Sequence, residues 1–171
     1  MWNDTDTPLA FFITFRCYNT WLYGDERGSV DRHNNTYGSP RIPKNDTWHR
    51  IAADLAKHPP VKLDAARRRS VRNAIVETCQ KRAWHLAAVN VRTNHAHSVV
   101  AAPGFDPDQV LNAFKANATR QMREDGCWEH DYSPWVRKGS KRRLWNERSV
   151  ANAIDYVVNG QGDDLPDFDS Y

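Results

Sequence analysis

Residues 10–18 alternate in character. Phe11, Ile13, Phe15 and Cys17 fall on one side, and Phe12, Thr14 and Arg16 on the other. A period of two predicts a strand, and apolar residues on both sides predict a central one. Trp48, Ile51, Ala52 and Leu55 recur at helical spacing and predict a short helix over 47–58, ended by Pro59-Pro60. A longer helix runs from Asp64 to about Arg82. There Ala66, Ser70, Ala74 and Thr78 form a small-residue row beside Val71, Ile75 and Cys79. Residues 84–91 and 95–102 read as two antiparallel strands joined by the tight connection Arg92-Thr93-Asn94. Asp106 as N-cap and Pro107 at the first helical position open the next helix. Its stripe is Val110, Phe114, Ala118 and Met122, widened by Leu111, and Gly126 fits its stop. Residues 128–145 read as loops and a short strand ending Arg143-Leu144-Trp145. Asn146 or Ser149 caps a last helix whose Val150, Ala153, Ile154 and Val157 face a core, and Gly160 can end it.

This order predicts an α+β fold: an antiparallel sheet with helices packed on one side of it, ferredoxin-like or RRM-like βαββαβ with a further C-terminal helix. A chain of 171 residues suits one domain. We assign it to residues 1–162, with a long Gly-, Asn- and Pro-rich loop over 24–46 and an acidic flexible tail over 163–171. Long loops in compact domains tend to be functional or mobile, although a tolerated surface insertion reads the same way.

Composition narrows the setting. No apolar run approaches the ~18–20 residues of a membrane span, and no signal peptide is visible, so the chain is expected in the cytosol. Cys17, Cys79 and Cys127 form no CxxC pair and read as reduced thiols. The tail's four Asp hold −4, so within a net charge of +3 the remainder carries +7. Arg137, Lys138, Lys141, Arg142 and Arg143 lie between Trp135 and Trp145. Cations meet phosphates and flat rings accept stacked bases, so this segment suits a nucleic acid. A solvated basic surface with core tryptophans fits it equally.

The candidate chemistry centres on Asn94-His95-Ala96-His97. On a strand the two histidines share a face, and two imidazoles side by side are half of a metal site. They also read as polar residues on an exposed sheet face. Tyr156 lies on the last helix, at the margin of its apolar stripe.

In this order His95-Ala96-His97 after Thr93-Asn94, Leu144-Trp145 before a helix, and Tyr156-Val157-Val158-Asn159-Gly160-Gln161 on it resemble the single-tyrosine HUH endonucleases. The likeness is to bacterial insertion-sequence transposases and REP-associated tyrosine transposases, and it runs from about Phe11 to Gln161. The resemblance implies a divalent metal, Mg or Mn, held by His95, His97 and a Gln or Asn after the tyrosine. The position four residues after Tyr156 is Gly160. Gln161, with its longer reach, is favoured over Asn159. The resemblance further implies that Tyr156 attacks a phosphodiester of single-stranded or hairpin DNA and keeps the 5′ phosphate, which a second 3′ hydroxyl can reclaim. A phenol is a modest nucleophile near neutral pH and must be activated or positioned. Lys115, Arg142 and Arg143 are candidate phosphate contacts, and Trp145 a candidate stacking ring. A homodimer is the default assembly. Two other functions remain open: a protein that binds structured DNA or RNA without cutting, and a metal-dependent phosphodiesterase that uses water.

Overall fold

The computed structural model describes residues 6–20, 25 and 40–166. Most of the 24–46 segment, Trp21 and the end of the acidic tail lie outside the described residues. The elements are β1 (Ala10–Arg16), α1 (Asp46–Leu55), α2 (Ala65–Arg82), β2 (His85–Val91), β3 (His95–Ala101), α3 (Pro107–Glu124), β4 (Ser140–Leu144) and α4 (Glu147–Asn159). The strands form one antiparallel sheet in the order β2-β3-β1-β4. β1 is central, as its two apolar sides require.

Local sequence sets the element ends. Asp64 caps α2 through a bond from the Arg67 amide, and Asp106 caps α3 in a reciprocal box with Gln109. Asn146, not Ser149, caps α4, accepting from the Ser149 amide. At Gly139 a Cβ would stand 2.7 Å from the Thr14 carbonyl oxygen, so only glycine lets the chain enter β4 so close to β1.

Two cores lie on the two sides of the sheet. Phe11, Ile13 and Phe15 meet Val71, Ile75, Val110 and Phe114 under α2 and α3. Ala10, Val99 and Leu144 meet Ala153 and Val157 of α4. The helices therefore occupy both faces, not the single side expected. The reason is visible in β1 and β3: Phe12 and Val99 give the second face enough apolar surface to reward a covering helix. α4 lies over β2 and β3 and touches β4. Among the described residues no helix is long and apolar enough to cross a membrane.

Candidate active site

The register decides what shares the α4 side of the sheet. Arg16 lies opposite His95, Thr14 opposite His97 and Phe12 opposite Val99. On the outer strands Asn90 lies opposite His97, and Arg142 opposite Phe12. Paired residues on neighbouring strands point the same way, so these side chains form one surface.

The histidines meet there with ring centroids 4.5 Å apart. His95 Nδ1 is 2.6 Å from Asn94 Oδ1. An amide oxygen only accepts, so this bond puts the His95 proton on Nδ1 and leaves a lone pair on Nε2. That Nε2 lies 3.3 Å from Gln161 Oε1. The Gln161 amide is oriented by its own donor, Nε2, which bonds the Tyr156 carbonyl at 3.1 Å. With that tautomer two lone pairs face each other, an arrangement that a shared proton or a cation would satisfy.

His97 is buried, and its Nδ1 lies 2.7 Å from Thr14 Oγ1. Burial, then the charges of His95 and Arg16, push its pKa down from 6.5 to about 3, against a hydrogen bond to Gln161 that raises it. His97 is therefore a neutral imidazole at ordinary pH. With its proton on Nδ1, donated to Thr14, its Nε2 carries an electron pair.

Tyr156 comes from α4 and is half exposed. Its ring lies 5.6 Å from His97 and 5.9 Å from Phe12, edge-on to both. The end of α4 is tied to the sheet beside it. Asn90 Nδ2 donates to the Val157 carbonyl at 3.0 Å, and Arg92 Nη1 to the Asp163 carbonyl at 2.9 Å. The helix stops at Gly160, whose amide bonds the Tyr156 carbonyl at 3.0 Å. A Cβ on residue 160 would stand 2.7 Å from that same oxygen, so glycine allows the close turn that brings Gln161 to the histidines. Asn159 instead bonds Asp155 at 2.9 Å on the exposed side of the helix.

His95, His97, Gln161 and Tyr156 are thus brought together, and Arg142 lies on the same side. Arg143 is on the opposite side, 3.6 Å from Asp106. Trp145 follows β4 and is partly exposed. Lys115 requires a correction. It is buried, and its three ammonium protons go to the carbonyls of Val136, Arg137 and Lys138 at 2.8, 3.2 and 3.1 Å. No proton is left for a phosphate; its position near the α3 stripe, not its charge, carried the relevant signal. Thr14, Arg16 and Asn90 were missed by sequence reasoning. The alternation of β1 put Thr14 and Arg16 on one side, but only the register against β3 reveals that this is the histidine side.

The arrangement defines a class: an α+β sheet protein with paired histidines and a helix-borne tyrosine beside them. Residues 56–157 match the model of the family described as Transposase IS200 like, and the protein belongs to that family of DNA-processing transposases. Among solved structures the chain is similar to a REP-associated tyrosine transposase bound to a REP hairpin. Identity is 12%, with 92% of this chain and 69% of that chain covered and a TM-score of 0.47. It is also similar to a protein assigned as a transposase from Deinococcus radiodurans R1, at 12% identity over 92% of this chain and 94% of that one, with a TM-score of 0.47. No curated protein matches it significantly. The sequence match carries the family assignment.

Proposed function

We propose that this transposase cuts and rejoins single-stranded DNA through Tyr156, with a divalent cation, Mg or Mn, at His95, His97 and Gln161. The observation that supports this reading is the convergence of those four side chains on one side of the sheet. The donor chemistry fits a cation. His95 Nε2 and Gln161 Oε1 present lone pairs to each other, and His97 is neutral. Among the described residues no group of three or more His, Cys, Asp and Glu is placed to hold a metal ion, so the donor set here includes an amide. A cation held there by neutral donors would keep its full charge and would attract a phosphate. When bound, it would neutralise phosphate charge and polarise the bond to the leaving oxygen.

The chain's own groups do the rest. Tyr156 Oη gives up its proton and bonds the phosphorus, the P–O3′ bond breaks, and the departing 3′ oxygen takes up a proton in exchange. The 5′ phosphate stays on the tyrosine as an ester. A second 3′ hydroxyl reverses the step and regenerates the phenol, so no external energy source is needed for rejoining. Asn90 and Gly160 fix the end of α4 and hence the tyrosine's approach. All these residues come together within one chain.

A 3′-labelled hairpin oligonucleotide, incubated with Mn or Mg and run on a denaturing gel, tests the reading. The label should move to the protein, and should not do so with chelator, Tyr156→Phe or His95→Ala. Free cut DNA that persists in Tyr156→Phe would indicate a water-using phosphodiesterase. Retention of uncut DNA under every condition would indicate a binding protein.

A further inference from the structure

β4 divides its basic residues between the two sides of the sheet. Lys141 and Arg143 lie opposite Ile13 and Phe11, on the α2–α3 side. There Lys141 pairs with Asp108, and Arg143 with Asp106. Arg142 lies opposite Phe12 and shares the α4 side. On β1 the basic residue of that side is Arg16, opposite His95. Both arginines are half-buried.

Their rows bracket the reacting groups. Arg142 is level with Phe12, and Arg16 lies four residues further along β1, about 13 Å of strand. Between them is the row of Thr14 and His97, and the Tyr156 ring rests against Phe12 and His97. A planar guanidinium with five donors matches phosphate oxygens, and its stem can lie along apolar surface such as Phe12.

We propose that Arg16 and Arg142 contact the substrate as a two-point phosphate grip, one on each side of the bond that Tyr156 attacks. The single strand then runs along β1, from the His95 row to the Phe12 row. This rests on the reading of Tyr156 as nucleophile for what lies between the two points, but the grip itself is measurable without cleavage.

The experiment uses the full chain carrying Tyr156→Phe and a fluorescent hairpin oligonucleotide with a single-stranded flank. Its dissociation constant is followed by anisotropy from 0.05 to 0.3 M salt, about the range over which phosphate contacts are felt. Each lost single-strand phosphate contact lowers the log–log salt slope by about 0.7. Arg16→Gln and Arg142→Gln should each lower it by that amount and weaken binding at least about fivefold at low salt. Arg120→Gln, on α3 and paired with Glu124, and Arg143→Gln should leave the slope within error. Equal slopes in all four variants, or a larger loss for Arg143→Gln, would overturn the grip. Melting curves establish that each variant is folded. If Arg16→Gln is not, Arg16→Lys and Arg142→Gln decide: an unchanged slope in Arg142→Gln overturns the proposal. So does a Kd in Arg16→Lys equal to that of its Tyr156→Phe parent. Loss of slope in the two α4-side variants, together with no covalent adduct in the wild-type chain, would refute the nucleophile and keep the grip.

Discussion

Replacing Lys115 by Met separates a structural cation from a DNA-binding one. The methionine keeps most of the apolar stem and removes the three bonds to the carbonyls of residues 136–138. A hydrogen bond to a charged donor is worth about 1.5–3 kcal/mol by mutation. Not all of that is lost. Arg137 and Lys138 are exposed, so their carbonyls regain water, and the ammonium no longer carries its desolvation cost. We expect a net loss of about 2 kcal/mol. In a chain of this size that lowers Tm by about 4–8 °C. The loop held by Lys115 leads into β4, and Trp135 in it donates through Nε1 to the Lys115 carbonyl and to Thr119. Damage should therefore spread to tryptophan fluorescence. Differential scanning fluorimetry gives the Tm, and anisotropy below the transition gives DNA affinity. Affinity should stay within about twofold of the parent, because a buried ammonium so engaged meets no phosphate. An unchanged Tm with a tenfold loss of DNA affinity would refute the reasoning and restore Lys115 as a phosphate contact.

Three further outcomes follow from the site. His97 has its pKa lowered from 6.5 to about 3, so between those values the unfolded chain holds a proton that the native chain refuses. Its contribution is present above pH 6.5 and lost on acidification. In chelator, moving from pH 7.5 to 5 should cost about 2 kcal/mol by urea denaturation, and His97→Asn should flatten that dependence. A variant that tracks the parent at every pH would disprove it. Thr14→Val keeps shape but removes the oxygen bonded to His97 Nδ1. Mn affinity, measured by titration calorimetry, should fall about tenfold or more, and an unaltered affinity would exclude Thr14 from orienting the ring. Gln161→Ala should lower the rate of adduct formation at least about tenfold, since positioned ligands and their partners commonly carry that much. Asn159→Ala should not, because Asn159 bonds Asp155 on the far side. The reverse ranking would move the third ligand to Asn159.

Most element positions were legible because they rest on short-range rules. The alternation of Phe11 to Cys17, the Asp106-Pro107 helix start and the Val150–Val157 stripe each encode their own geometry. What lay beyond reach was relational. Phe12, Thr14 and Arg16 announce a second strand face, but whether α4 crosses to it depends on packing against Val99 and Leu144. The fate of Lys115 was hidden for the same reason. A lysine beside an apolar stripe can lie outside or reach carbonyls of a distant loop, and only the fold supplies those carbonyls. Arg142 and Arg143 are neighbours in sequence, yet period two sends them to opposite sides. The Asp106 and Asp108 partners that engage Arg143 and Lys141 are over thirty residues away. The fold gives Gly160 its reason: glycine there closes the helix end and delivers the amide of the next residue.

The central claim concerns one oxygen atom, and peptide mapping addresses it most directly. The adduct formed with a 3′-labelled hairpin strand and Mn is digested with nuclease and protease, and its peptides are sequenced by mass spectrometry. With trypsin as the protease, the account predicts one modified peptide, residues 149–171, with a 5′-linked nucleotide on Tyr156. A nucleotide on Tyr132 or Tyr18, or cleavage that leaves no peptide modified, would contradict it.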